Sequence, residues 1–178
     1  HIDWHESFDN YVISKLKLAK NQSKDDFLVI NKEDEISQRH KKDFKAQIYE
    51  FSSLRPVKRG LFLDGDKIFL SDGSSSVEEI LDVKDLQVIG RHNYENIMAA
   101  ILLSYLLGIE IVEIVEAIKK FKAIAHRLEY VKSISGIDFY NDSKGTNVAS
   151  SVKAIESFDK KLILIAGGYD KNIDYTDF

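Results

Sequence analysis

Residues 93–107 are apolar on nearly every side of the helix that their spacing predicts. A helix of this kind has no polar face to turn towards water, so other parts of a core must cover it. Its longest apolar run, residues 97–107, is interrupted by Ser104 and Tyr105 and is shorter than the ~20 residues that cross a bilayer. Gly108 stands where a helix-ending glycine is favoured. The sequence therefore predicts a buried helix around which a globular domain packs.

Short apolar runs separated by polar residues precede this helix, and their lengths predict a sheet with helices. Two of the runs flank Asp64-Gly65, a dipeptide typical of a type I′ turn, and indicate a β-hairpin over residues 61–70. The other predicted elements are a helix over residues 8–19, a strand over 26–30, a surface helix over 33–44, strands over 46–51 and 77–83, and a loop over 71–76.

The chain changes in character near residues 122–125, after an amphipathic helix over residues 110–121. We therefore predict an α/β fold with a domain boundary near residue 123. The second segment, about 55 residues long, is too short for a complete α/β domain. Its predicted elements are strands over residues 128–134, 137–140 and 161–166, a turn at Gly136 and a helix over 149–158.

Polar side chains are concentrated over residues 139–147, where an apolar strand pattern ends. An acid, a lysine, hydroxyls and amides follow one another there. Open α/β sheets bind ligands at the carboxyl ends of their strands, and a helix that begins near Asn147 would aim backbone N–H groups at an anion. Together with Arg127 upstream and Gly167-Gly168 downstream, this segment predicts an enzyme site for charged, phosphorylated substrates.

The composition narrows the range of partners. A formal net charge of −4 argues against a nucleic-acid binder, which needs a basic stripe, although a few lysines or a metal ion can still hold a small anion. The chain has no cysteine, which excludes disulfides and thiolate metal sites and fits a reducing cytosol. No membrane helix or signal peptide is visible, so neither nucleic acid nor a membrane is expected as a partner.

The polar residues of two segments also have ordinary explanations. Arg127 could grip phosphate oxygens through two donors, or it could pair with Glu129 on the surface. Asn93 and Asn96 could recognise adenine or ribose at the start of the buried helix, or they could simply cap that helix. These alternatives are open at the level of the residues alone.

The remaining candidates give weaker signals by themselves. Gly167-Gly168 could let the backbone approach a ligand closely, but such pairs are common in turns. Lys171, in the same loop, could meet a substrate carboxylate or remain solvated. Lys15 shares its helix with two other lysines, a pattern typical of a hydrated face. His1 and His5 would share one face of a helix, which is a weak zinc signal without a carboxylate at fixed spacing.

The same residues, in this order, resemble the Mur ligase family. Two of the matching pieces, His-Asn-x-x-Asn and Arg-x-Glu, are shared widely in that family. A third, Asn-Asp-Ser-Lys-Gly-Thr-Asn, is similar to the D-glutamate-adding member. The pieces that carry the resemblance span nearly all of the chain and comprise residues 1–3, 11–15, 90–96, 126–129, 141–147 and 167–171.

The resemblance implies a protein with a UDP-binding domain, a central P-loop ATPase domain and a dinucleotide-fold-like C-terminal domain. Residues 1–123 would be the latter part of the central ATPase domain, and residues 124–178 the first part of the C-terminal ligase domain. The chain contains no Gly-x-x-x-x-Gly-Lys-Ser/Thr phosphate loop and no initiator Met. We therefore expect a fragment that is inactive by itself.

The implied reaction is ATP-dependent amide formation in peptidoglycan precursor synthesis. ATP would phosphorylate the carboxylate of UDP-N-acetylmuramoyl-L-alanine, and the amine of D-glutamate would attack the acyl phosphate. Two Mg²⁺ ions would screen the negative charge and hold the reacting groups together. The resemblance also implies a bacterial, cytoplasmic enzyme, and we expect a monomer in the full-length form.

The resemblance further implies a role for each candidate residue. The catalytic residues would be His1, Lys15 and Arg127. His1 and a carbamylated Lys15 would bind Mg²⁺. ATP would be contacted by Asn96, by Asp142 and, less directly, by Asn93, and Arg127 would contact its phosphate across an inter-domain cleft. Thr146 and Lys171 would contact D-glutamate, and the site loops would contain Lys144, Gly167 and Gly168.

Two other interpretations stay open. A folylpolyglutamate-synthase-like ligase shares the architecture and also adds glutamate, but the Asn-Asp-Ser-Lys segment argues against it. A non-catalytic ligand-binding module is the alternative from a different functional class. Substitution of Lys15 in the full-length protein separates an enzyme from such a module, and folate separates the two ligases.

Overall fold

The centre of the chain's first part is a mixed five-stranded sheet with the strand order β1-β2-β3-β4-β5. The computed structural model describes residues 5–169 and Thr176. Strands β1, β2 and β3 run parallel, whereas β4 and β5 are antiparallel to their neighbours. The strand bounds are β1 Phe27–Asn31, β2 Gln47–Ser52, β3 Arg59–Asp64, β4 Lys67–Asp72 and β5 Val77–Asp82. The predicted α/β class and these five strands are confirmed.

Five α-helices accompany the two sheets of the described chain. The predicted buried helix is confirmed as α3, although it begins two residues earlier than the pattern indicated. Gly108, with a φ of 88°, lies just past its C-cap Leu107 as expected. The helix bounds are α1 Phe8–Leu16, α2 Glu35–Arg39, α3 Arg91–Leu106, α4 Ile111–Lys120 and α5 Val148–Ile155.

Helix α3 and one face of the sheet form the main core. Met98 and Leu102 of α3 are fully buried, as are Leu61 of β3 and Ile68 of β4. Helix α4 adds Ile114 to the same cluster. Burial of such aliphatic side chains contributes roughly 1.5–3 kcal/mol each, so the apolar surface of α3 holds the helix on the sheet. The opposite face of the sheet carries a smaller cluster around Leu28, Ile30 and Ala46.

The two hairpins differ in their turns. Between β3 and β4, Asp64 pairs with Lys67, so the turn residues are Gly65 and Asp66 rather than Asp64 and Gly65. Only Gly65 has a positive φ, of 57°, which fits a type II′ turn with glycine first, and the predicted type I′ turn is wrong. The second hairpin joins β6 (Glu129–Ile134) to β7 (Ile137–Asn141). Its turn residues Ser135 and Gly136 both have positive φ, as a type I′ turn requires.

Two predicted elements are corrected by the structure. The charged surface helix over residues 33–44 is broken into the short α2 and a 3-10 turn over Lys41–Asp43. The predicted strand over residues 161–166 is wrong, because this segment is exposed, has no regular secondary structure and belongs to neither sheet of the described residues. A strand is stable only when its backbone groups are paired. The residue types of this apolar run are typical of a strand, but no neighbouring strand pairs with it among the described residues.

The second part of the chain has its own two-stranded sheet, β6-β7, followed by α5. The predicted helix over residues 149–158 is confirmed as this shorter element. A domain boundary near residue 123 stays a prediction. None of the described helices combines the length and the apolar character that crossing a membrane requires.

Glu50 of β2 is a buried charge on the sheet face opposite α3. Only 5% of the residue is exposed, and its Oε1 accepts hydrogen bonds from Lys41 Nζ at 2.7 Å and Lys32 Nζ at 3.1 Å. Burial by itself raises the pKa of Glu50, but hydrogen bonds from Lys41, Lys32 and Gln38 and the charge of Lys41 together lower the pKa by more. The net pKa lies below its ordinary value, so the folded state favours the ionised carboxylate.

We expect Glu50→Gln to lower the free energy of unfolding by about 1–3 kcal/mol at neutral pH, because the buried acceptor loses its charge. A lowered folded pKa gives stability that is present above the unfolded pKa and is lost as the pH falls through the folded pKa. The difference in unfolding free energy between the wild type and Glu50→Gln should therefore shrink in acid. Urea unfolding at a series of pH values measures this difference.

The matched control is Glu79→Gln, because Glu79 pairs with Lys67 where both side chains are about half exposed. That exposed pair should contribute little to stability, because water and salt screen it. Equal unfolding midpoints for Glu50→Gln and the wild type at neutral pH would contradict the role assigned to Glu50.

Candidate functional site

The carboxyl ends of β1 and β2 lie at one edge of the sheet because the two strands run parallel. The loops that leave this edge are joined by side chains. Ser52 Oγ donates to Glu33 Oε1 at 2.8 Å, and Asn31 Oδ1 accepts from the backbone N–H of Glu33 at 2.8 Å. Ser52 is fully buried, so the network fixes both loops where open α/β sheets bind their ligands.

A cleft of about 320 Å³ opens at this edge between the strand ends, the start of α3 and helix α5. It brings both signs of charge together from segments that are far apart in the sequence. Polar clefts of this size suit small charged ligands better than apolar ones. The residues that line it are Asn31, Glu33, Asp34, Ser53, Leu54, Arg91, Glu95 and Lys153.

The first turn of α3 begins at the N-cap Gly90, which has a φ of 96° and no side chain to cap the helix. Asn93 donates from Nδ2 to the carbonyl of Ile89 at 2.7 Å. Of the two open alternatives, capping by an asparagine is excluded, since Gly90 is the N-cap and Asn93 lies inside the helix and ties the preceding chain to it. The side chain of Asn96 is exposed.

Arg127 is carried by a tight turn in which two neighbours have left-handed backbone angles. The φ of His126 is 68° and that of Leu128 is 45°, a region that side chains other than glycine rarely adopt. Glu129 Oε2 accepts from the N–H of His126 at 2.7 Å, and Asp142 Oδ1 accepts from the N–H of Leu128 at 3.0 Å. These bonds hold the turn and leave the side chain of Arg127 exposed.

Arg127 was expected either to bind phosphate or to form a surface ion pair with Glu129, and the structure does not show the ion pair. Glu129 uses its carboxylate on the backbone of His126, and no ion pair joins it to Arg127. Asp142 likewise has one oxygen engaged by Leu128.

The polar loop after β7 is folded onto the same turn. Lys144 donates its backbone N–H to the carbonyl of His126 at 2.9 Å, whereas its side chain is exposed, as is Thr146. Asn147 is the N-cap of α5, and its Oδ1 accepts from the N–H of Ser150 at 2.8 Å. The predicted helix start near Asn147 is confirmed.

His92 lies where the start of α3 meets the second part of the chain. Burial lowers the pKa of His92, and the positive charges of Lys153 and Arg127 lower it further, while Asp142 and Glu95 act in the opposite direction. The charged groups that act on the pKa of His92 therefore come from both parts of the chain. Asn96 lies four residues further along the same helix, in its second turn.

Gly90 marks the closest approach of the two parts. A Cβ at this position would lie 2.3 Å from Oγ of Ser157, just beyond α5. Such a distance is far below van der Waals contact, so a glycine is required both for its φ and for this packing. The contact seats the end of α5 on the start of α3.

Several candidate residues are not brought to this place. Lys15 is exposed on α1, with its Nζ 5.4 Å from the ring centroid of Tyr11. Gly167 and Gly168 lie in the exposed segment without regular secondary structure. His1 and Lys171 lie outside the described residues.

A metal centre is not formed by the part of the chain that the structure describes. No group of three or more His, Asp and Glu side chains lies close enough together there to hold an ion. Magnesium takes carboxylate oxygens, water and phosphate in octahedral geometry. The sequence offers Lys15 as a candidate ligand, and the contact that its ammonium makes is with the ring of Tyr11, so the described residues by themselves do not form a Mg²⁺ site.

Sequence reasoning selected none of the eight residues that line the cleft as candidates, and Ser53, Glu95 and Lys153 are among them. Ser53 is buried and donates to Glu95 across 42 residues of sequence. Its position directly after an apolar strand was the available signal, since polar groups at strand ends line such sites. Glu95 and Lys153 are charged residues on helices, and such residues ordinarily face solvent, so nothing in their local sequence selects them.

Comparison with known proteins places the chain among ligases. Residues 1–104 match the family model described as the Mur ligase middle domain. The chain is 41% identical over all 178 residues to the UDP-N-acetylmuramoylalanine–D-glutamate ligase of Lachnoclostridium phytofermentans. It is 42% identical over 175 residues to the ligase of the same name from Lachnospira eligens. The chain spans 39% of the length of each of these curated relatives.

Solved structures share the fold at low sequence identity. The chain superposes on the UDP-N-acetylmuramate-alanine ligase MurC of Thermotoga maritima with a TM-score of 0.62 and 18% identity, covering 88% of this chain and 35% of that one. For MurF of Acinetobacter baumannii the TM-score is 0.60 at 16% identity, covering 88% and 34%. These likenesses establish the fold alone.

We expect the folded protein to lose stability as the pH falls below the ordinary histidine value of 6.5, because the folded state takes up a proton on His92 less readily than the unfolded chain does. The free energy of unfolding of His92→Gln should fall less in acid than that of the wild type. The difference in unfolding free energy between the two proteins should therefore shift in favour of the variant as the pH falls. Unfolding by urea from neutral to mildly acidic pH measures it.

Lys153→Gln, with His92 retained, is the companion variant, since its charge contributes to the lowered pKa of His92. It should weaken the acid dependence without abolishing it. If the difference in unfolding free energy between the wild type and His92→Gln is constant across this pH range, the lowered pKa of His92 is refuted.

Proposed function

Because the chain belongs to the Mur ligase family, we propose that its full-length protein joins D-glutamate to UDP-N-acetylmuramoyl-L-alanine in an ATP-dependent reaction. The substrates follow from the two relatives that are 41% and 42% identical to it. Since the chain spans about two fifths of their length, the activity is assigned to the complete protein. The reaction would serve peptidoglycan precursor synthesis in the bacterial cytoplasm, and we expect a monomer.

The observation that carries the proposal is the packing of the second part of the chain against the start of α3, where a Cβ on Gly90 would meet Ser157. Asp142 is bonded to the backbone of Leu128, next to Arg127, and Asn96 is exposed in the second turn of α3. A guanidinium that is always ionised suits phosphate oxygens, and amide and carboxylate groups suit the ribose and the base. A nucleotide placed here would touch both parts of the chain.

The proposed chemistry proceeds in two transfers. A carboxylate oxygen of the first substrate attacks the γ-phosphorus of ATP, and ADP leaves. The amine of D-glutamate then attacks the acyl carbon, the phosphate leaves with the C–O bond electrons, and the nitrogen loses a proton. Arg127 would stabilise the charge that develops on the transferred phosphoryl group, as arginine does in other phosphoryl transfers.

Lys15 and His1 are proposed as the ligands of Mg²⁺, with Lys15 in its carbamylated form. When bound, Mg²⁺ would screen the negative charge of the phosphates and the carboxylate. An amine must lose its proton before it takes up CO₂, and the product is an anion. Because Lys15 is exposed on α1, groups other than the described ones would have to complete such a site.

Thr146 and Lys171 are proposed as contacts to D-glutamate, and Lys144, Gly167 and Gly168 as parts of the surrounding loops. The exposed side chains of Thr146 and Lys144 follow the folded turn directly, which supports this placement. We also propose that residues 1–123 belong to the central ATPase domain and residues 124–178 to a dinucleotide-fold-like C-terminal domain. The separate sheet β6-β7 supports that division.

We expect the purified full-length protein to release ADP over repeated turnovers only when UDP-N-acetylmuramoyl-L-alanine and D-glutamate are both present, and to form the amide product. Coupled ADP detection and mass spectrometry of the product measure this. ADP release that depends on a folate instead would identify a folylpolyglutamate-type ligase. Binding of the substrates without ADP release would identify a non-catalytic module.

Lys15→Ala in the full-length protein should abolish ligation almost completely, because the proposed carbamate would be lost. A short-chain carboxylic acid such as acetate should restore part of the activity by supplying the missing carboxylate. The measurement is the ligation rate with and without the added acid.

Lys17→Ala is the matched control, since Lys17 is an exposed lysine directly after the same helix. It should ligate like the wild type. Full activity of Lys15→Ala, or a loss of the same size in both variants, would count against the carbamate.

A further inference from the structure

We propose that Glu95 is a positioning residue of the nucleotide site, acting through its hydrogen bond from Ser53. This inference rests on the proposed function, because it concerns the ATP site of that reaction. Ser53 Oγ donates to Glu95 Oε1 at 2.5 Å. The bond joins the end of β2 to the second turn of the helix that presents Asn96.

The bond is short and its donor is shielded from water. Only 5% of Ser53 is exposed, and the O–H···O distance is at the short end of the range for a hydroxyl bound to an ionised carboxylate. Such charge-assisted bonds are about twice as strong as neutral ones. Losing Glu95 would leave a buried hydroxyl without its partner, which is costly in a core.

The strand end that carries Ser53 is itself rigid. The neighbouring Ser52 is fully buried, donates to Glu33, and accepts from the backbone N–H groups of Leu54 and Arg55 at 3.1 and 3.0 Å. Ser53 therefore offers a fixed anchor point at the edge of the sheet. A fixed anchor is what a positioning contact needs in order to orient another element.

Helix α3 needs such an anchor at its beginning. Its N-cap Gly90 supplies no capping side chain, and its first buried apolar residue is Ile97, with Tyr94 packed against the core as a partly buried side chain. Before Ile97, the Ser53–Glu95 bond is a polar contact that joins α3 to the end of β2 and adds to the packing of Tyr94. Successive residues are about 100° apart around a helix, so holding Glu95 towards β2 turns Asn96 away from the sheet.

The direction in which Asn96 is turned is that of the proposed nucleotide site. His92 is four residues before Asn96 and shares its side of α3. The charges of Arg127 and Asp142 act on His92. The Ser53–Glu95 bond thus aims one side of α3 at the groups that the second part of the chain contributes.

A direct role for Glu95 is the competing explanation, because Glu95 also lines the cleft with Arg91 and Lys153. A direct role would depend on the charge of Glu95 and not on Ser53. A positioning role depends on Ser53 and on an acceptor oxygen at residue 95. Glutamine keeps that acceptor without the charge, so it separates the two explanations.

The test measures ATP affinity by calorimetry and the steady-state ligation kinetics of the full-length protein. Ser53→Ala and Glu95→Ala should each raise the Kd for ATP by about three- to tenfold, since each removes one charge-assisted hydrogen bond. The double variant should bind no more weakly than the weaker single variant, because both changes remove the same bond. Glu95→Gln should stay within about twofold of the wild type. The KM for ATP should rise more than kcat falls.

Ser71→Ala is the matched control. Ser71 is a buried serine, 4% exposed, whose Oγ donates to the carbonyl of Lys58 at 2.8 Å, and it does not line the cleft. Its loss should lower the unfolding midpoint and leave the Kd for ATP unchanged. This distinguishes positioning from a general loss of stability.

Two results would overturn the inference while the proposed function stands. The first is wild-type affinity for ATP in Ser53→Ala. The second is a Glu95→Gln variant as weak as Glu95→Ala, which would assign the effect to charge. A wild-type protein that binds no ATP would overturn the proposed function and this inference together.

Discussion

The burial of helix α3 on the five-stranded sheet is the interaction on which the rest depends. Met98, Ile101 and Leu102 pack against strands whose own residues Leu61 and Ile68 are fully buried. Since this apolar contact fixes the body of the helix, its polar first turns project from the same sheet edge at which β1 and β2 end. The core thereby determines where charged groups meet, although none of its side chains takes part in chemistry.

Much of this architecture follows from local patterns. The period of the apolar residues in α3, α4 and the strands is a property of short segments, so it could be predicted without knowledge of their neighbours. The position of the β3-β4 turn was wrong by one residue, since Asp-Gly and Gly-Asp both occur there and only the strand register selects between them. The segment over residues 161–166 shows the limit, because strand formation depends on a partner.

The candidate site was less accessible to prediction from the sequence. Arg127, Asp142 and Asn96 were found because the resemblance named them, whereas the bond between Ser53 and Glu95 joins residues 42 positions apart. Nothing in either local sequence indicates the other. The same holds for Lys153 and His92, whose proximity depends on how α5 is seated on α3. Contacts of this kind are decided by tertiary packing, which periodicity does not contain.

The left-handed residues on both sides of Arg127 have a consequence for how such an enzyme can change over evolutionary time. Backbone angles of this type cost roughly 1 kcal/mol or more each, so the bend persists only while the carboxylates of Glu129 and Asp142 hold it. A lineage could therefore alter the reach of the guanidinium by replacing either acid. The arginine itself would remain untouched.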